Sequence, residues 1–95
     1  MKFLTDDILK KAVKAQKGIF FDSHAVIRWL LHKAPLQYAQ ELSRFTRNAT
    51  RNPFPGCHGN IAQQIDELGL AEQLGEIWSL NINGIEGPCA LWKKK

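Results

Sequence analysis

The longest mostly apolar run in the chain, Ala25 to Leu31, is interrupted by Arg28 and falls far short of the roughly 20 residues a membrane-spanning helix needs. The start turns acidic at Asp6-Asp7 without the roughly 7–15-residue apolar core of a secretory signal. Cysteine is scarce. Cys57 and Cys89 are the only two, too few for a disulfide scaffold, and with no export signal they are expected to be reduced thiols in a cytoplasmic protein. Lysine and arginine vanish from residues 57–92, which carry five acids. The motifs that announce common chemistries are missing too: no P-loop, GxGxxG fingerprint, nucleophile elbow, HExxH or EF-hand loop. These absences set aside membrane proteins, disulfide-rich secreted domains and motif-bearing nucleotide, zinc-protease and calcium-binding classes. An enzyme is not the favoured reading, and no cofactor is implied.

What is present suits one domain over residues 1–95. Hydrophobic residues make up 44% and charged residues 23%, ordinary values for a folded protein. A chain of this length buries roughly 60–65% of its unfolded surface, enough to fold without a metal or disulfide. Net charge is +4, unevenly laid out. Residues 1–56 hold ten Lys/Arg and four Asp/Glu, and Lys93-Lys94-Lys95 closes the chain. Such a lopsided field steers partners of opposite sign.

Hydrophobic spacing predicts four helices. The first spans Thr5 to Lys17, with Thr5 or Asp6 as cap and Ile8, Leu9, Ala12 and Val13 as its apolar stripe. Ile19-Phe20-Phe21 reads as an extended connector. The second helix runs from Ser23 to Lys33 after a cap at Asp22 or Ser23. Pro35 opens the third, which reaches Thr46 with Tyr38, Ala39, Leu42 and Phe45 inward. Asn48 to Gly59, punctuated by Pro53, Pro55, Gly56 and Gly59, reads as irregular, and the fourth helix as Asn60 to Leu68. From Gln73 the period shifts to 2, with Leu74, Trp78, Leu80 and Ile82 on one parity and Ile77 breaking it. Asn83-Gly84 suggests a type I′ hairpin turn, with a loop reaching Pro88 as the alternative and a return strand at Cys89–Lys93. The predicted class is α+β, four helices followed by a C-terminal two-stranded antiparallel β-hairpin. The second hairpin strand is expected at the sheet edge, guarded by its lysines, and the hairpin must pack on the helices or pair with a second copy, which makes a homodimer an expectation. Trp29, Trp78 and Trp92 fall within apolar patterns and are expected in the core.

The favoured functional reading is a non-enzymatic binding protein with a nucleic-acid footprint on Arg44, Arg47 and Arg51, joined by Arg28 and Lys33. Arginine forks match phosphate oxygens, and neutralised phosphates release counterions. The reading depends on these cations gathering into one exposed area. The order helix–helix–helix–hairpin resembles a winged-helix domain in topology. The helix before the hairpin nevertheless offers Asn60, Gln63, Gln64, Asp66 and Glu67 and no cation, unlike a groove-reading helix. Two alternatives stand: a self-associating protein-interaction module, and a small-ligand binder. The last, like a small enzyme, requires a real pocket, and Cys57, His58 and His24 converging in a cleft would favour it. A zinc site is not expected, because Cys57-His58, Cys89, His24 and His32 lack paired ligand spacing.

Four stretches, Phe21-Asp22-Ser23-His24, Cys57-His58, Ser79-Leu80-Asn81-Ile82 and Cys89-Ala90-Leu91-Trp92, give the chain a resemblance to small bacterial proteins carried on mobile elements such as integron gene cassettes. The resemblance implies a bacterial origin and oligomerisation, and brings no site residues with it.

Overall fold

The computed structural model describes residues 3–46 and 52–95. Helix α1 (Asp6–Lys14) starts where Thr5 Oγ1 accepts the Ile8 N–H at 3.3 Å, with Asp6 and Asp7 in the first turn favourable to the helix dipole. It buries Leu9, Ala12 and Val13. It ends three residues before Lys17: Gln16 N–H reaches Val13 O, tightening the last turn, and the Lys94 ammonium takes the Gln16 carbonyl. Strand β1 (Phe20–Asp22) follows and runs straight into α2 (Ser23–Lys33), because Asp22 is both strand end and helix cap, its Oδ1 accepting from Ala25 N–H at 2.8 Å. Ala34 leaves helical geometry at φ −137°, ψ 53°, outside the α region that a following proline disfavours, and Pro35 opens α3 (Pro35–Ser43).

The inward face of α3 differs from expectation. Tyr38 is buried, but Ala39 is exposed and Glu41 takes the buried position. Its Oε1 accepts the N–H groups of Phe3 and Leu4 at 2.8 and 3.0 Å, and its Oε2 pairs with Arg44. Burial alone would raise this carboxyl; the Leu4 and Phe3 donors and the Arg44 guanidinium outweigh it and hold it below its usual range. A carboxylate sealed in this way ties the chain's start to α3.

Helix α4 (Pro53–Glu67) begins seven residues earlier than the sequence suggests. Asn52 caps it, accepting from Phe54 N–H at 3.0 Å. Pro53 and Pro55 both fall in the first turn, where no intrahelical N–H bond is lost. Gly56 is small for a reason of packing: a Cβ there would sit 3.0 Å from the Phe45 ring.

The hairpin strands are β2 (Ala71–Leu80) and β3 (Glu86–Lys94), and β1 joins them in one antiparallel sheet of order β1-β3-β2. The class is α+β with four helices, but the sheet has three strands. β3 is therefore central, and its lysines do not guard an edge; β2 is the long edge. Phe21 pairs with Trp92, the rings stacked at 6.4 Å, and Trp92 Nε1 donates to Ser23 Oγ at 2.8 Å. Trp92, Ala71 and Phe21 join Leu9, Val26, Ile27, Leu30, Ile61 and Ile65 in the core. A bulge between Gln73 and Gly75 shifts the register, with Gly75 at φ 142°, a conformation open to glycine. The turn is not the expected Asn-Gly type I′, since among the described residues none but glycine has positive φ and Asn83 is therefore excluded. Asn81 organises it instead: its Oδ1 accepts from Asn83 and Ile85 N–H, and its backbone N–H donates to Ile85 O, an Asx turn. Among the described residues no helix is long and apolar enough to cross a membrane.

Candidate functional site

A cleft of about 480 Å³ opens between the start of α2, one flank of α4 and the far half of the hairpin. α2 contributes Ser23, His24 and Ile27. α4 contributes Phe54, Pro55, His58, Gly59 and Ala62. The hairpin supplies Asn81, Ile82, Pro88, Cys89 and Ala90. Among the described residues no Asp, Glu, Lys or Arg lines it. Each helix faces the cleft for a local reason. Asp22 caps α2 so that His24 lies in its first turn beside the sheet. The early start of α4 adds the turn that carries Phe54 and positions His58 in mid-helix.

The two histidines are held from opposite walls. His24 Nδ1 lies 2.7 Å from Ser79 Oγ, which in turn lies 3.5 Å from Cys89 Sγ. His58 Nε2 lies 2.7 Å from the Tyr38 hydroxyl, and the Phe54 ring meets His58 edge to face at 5.8 Å. Burial, and then the proximity of His24, push His58 down to about 4, so its ring is neutral near pH 7, with one donor and one acceptor nitrogen. Burial pushes the Tyr38 hydroxyl up to about 12, which keeps its proton in place for that bond. The second ring nitrogens, His24 Nε2 and His58 Nδ1, have no hydrogen-bond partner among the described residues and are not sealed from solvent.

No protein family, curated protein or solved structure matches the chain.

The site therefore rests on geometry, and the geometry revises the expectations residue by residue. His24 and His58 converge. Cys57 does not join them: it is fully buried on the core side of α4, its thiol pushed up to about 11 by burial and then by the Glu41 charge. A thiol held protonated is a poor nucleophile. Neighbours in a helix point about 100° apart, and here Cys57 faces the core while His58 faces the cleft. Cys89 reaches it through the sheet. The stretches 21–24, 57–58, 79–82 and 89–92, far apart in the chain, all send residues to this place. Ser79, Tyr38 and Asn81 escaped sequence reasoning. Only Asn81 carried a signal, as a turn-forming residue just ahead of Asn83-Gly84.

The arginine set is distributed differently. Arg44 is engaged by buried Glu41. Arg28 and Lys33 are exposed on α2, and Arg28 Nη1 donates to Leu80 O at 2.7 Å. Arg47 and Arg51 lie outside the described residues. Among the described residues no three His, Cys, Asp or Glu side chains are placed to hold a metal ion. The Ser79–His24 pair has the distance of a nucleophile and its base, but a working dyad needs the far side of the base oriented by a third group, and His24 Nε2 has none among the described residues. The cleft has apolar flanks and two imidazole nitrogens without a hydrogen-bond partner among the described residues.

Proposed function

We propose that the chain is a non-enzymatic binding module for a small, uncharged molecule with an aromatic or apolar body and a polar end. The observation that carries this reading is the cleft itself: three distant segments bring His24, His58 and Cys89 to a common cavity with no charged side chain among its described lining residues. A pocket of a few hundred cubic ångströms, mostly apolar with a few convergent polar groups, is the usual form of a small-ligand site. The body of such a ligand would lie against Phe54, Ile27 and Ile82. Its polar end would meet the free nitrogens of His24 and His58, one able to donate where the other accepts. A charged ligand would lose hydration with no opposite charge to replace it.

Benzamide is a suitable probe, because it has an apolar ring and an amide that both donates and accepts. Titration followed by backbone amide NMR is expected to give saturable shifts confined to residues around Ile27, His58, Ala62, Ile82 and Ala90. Benzoate, the same shape with a charge, is expected to bind at least tenfold more weakly, a difference of about 1.4 kcal/mol. Shifts that do not saturate, that fall elsewhere, or that are equal for the two probes would overturn the reading.

A further inference from the structure

On the flank of α2 away from the cleft lies a broad, shallow depression of about 710 Å³. Lys17, Arg28, His32 and Lys33 stand around it, with the rings of Phe20 and Trp29 between them. Phe20 is 57% exposed, although it belongs to a strand, and its register neighbour on β3 is the exposed Lys93. One carboxylate is present, Asp22, and its Oδ1 is committed to the Ala25 N–H as the helix cap. Arg28 is anchored by a single donor to Leu80 O, which fixes the guanidinium and leaves its remaining N–H groups free.

We propose that this depression binds single-stranded nucleic acid, with Lys17, Arg28 and Lys33 on phosphates and Phe20 stacking a base. Cations that track a backbone, interleaved with an exposed ring, are the arrangement single-strand binders use. An acidic peptide would satisfy the cations but has no planar group for Phe20. A duplex would satisfy them too but keeps its bases stacked and out of reach. The two sites have no lining residue in common, and α2 and the Arg28 tether to Leu80 O connect them.

The test is fluorescence anisotropy with a labelled oligothymidylate of about 12 nucleotides, within the ~4–16 that a small single-strand-binding fold covers. Saturable binding at low salt is expected. Three neutralised phosphates, at ~0.7 each for single strands, give a log–log salt slope of about −2, or roughly a twentyfold loss between about 50 and 200 mM salt. Lys17→Glu with Lys33→Glu is expected to weaken binding at least tenfold and flatten the slope. Phe20→Ala should weaken it about fivefold or more, the low end for loss of one stacked base, while Phe20→Tyr restores it. All three substituted positions are exposed, and circular dichroism verifies that each variant is folded. The proposal is overturned if the wild-type chain does not bind at low salt, if the variants bind as it does, or if polyglutamate or the matching duplex competes as well as the single strand.

Discussion

The two ends of the β2–β3 hairpin have similar apolar content and opposite fates. At the base, Ala71 and Trp92 are 1% exposed, with β1 paired alongside and α2 packed over the sheet. At the tip, Trp78, Leu80 and Ile85 are 68%, 53% and 63% exposed. Trp78 pairs with exposed Pro88 in the register, on the face opposite Ser79. The tip is held by few contacts: Arg28 to Leu80 O, His24 to Ser79, and partial packing of Ile82. Stability thus resides at the base, while the tip is positioned by polar tethers and forms one wall of the cleft. Binding walls are commonly drawn from such low-stability elements, because they can adjust without unfolding the core.

Two tryptophans and one histidine test this contrast. The largest effect is expected from Trp92→Ala, which empties a buried site, removes the ring stacked on Phe21 and orphans Ser23 Oγ. A loss of about 3–5 kcal/mol in urea unfolding is expected, and a loss under about 1 kcal/mol would remove the base as the seat of stability. The next effect is a pH dependence from His58. Its folded value, about 4, lies below the ordinary 6.5, so the unfolded chain takes up a proton that the folded chain refuses. Stability then falls as pH drops from about 7 to 5, by about 1–2 kcal/mol after allowing for partial exposure. Glu41, held below its ordinary 4.5, contributes only at lower pH. His58→Gln should flatten the urea midpoint between pH 7 and 5; an unchanged slope would assign the dependence elsewhere. The smallest effect belongs to Trp78→Thr, expected within about 0.5 kcal/mol of the parent because the ring is mostly in water. A loss comparable to Trp92→Ala would erase the distinction between base and tip.

Much of the helical framework was legible before the structure. Thr5 and Asp22 caps, the Pro35 boundary and the 3.6-residue stripes depend on neighbours along the chain, and α2 appears with the boundaries read from its residues. Where legibility failed, the deciding partner was remote. Pro53 and Pro55 read as a loop, yet both fit the first turn of a helix that packs beside Phe45. The apolar spacing names Ala39 and not Glu41 as inward, since a charged residue ordinarily faces water, and the Phe3 and Leu4 N–H groups, nearly forty positions away, together with Arg44 make that carboxylate burial favourable. Trp78 has the same apolar character as Trp92, and nothing local distinguishes the strand end that meets helices from the end that extends past them.

The sequence alone determined the class, the capped helices, the sparse cysteines and the uneven charge, since these follow from composition and from contacts within a few residues. Tertiary structure decided the third strand, the central place of β3, the pairing of Arg44 with Glu41 and the meeting of His24, Ser79, Cys89 and His58. The physical reason is range: a hydrogen bond or a packed ring requires its partner within a few ångströms, and in a folded chain that partner can stand 55 residues away, as Ser79 does from His24.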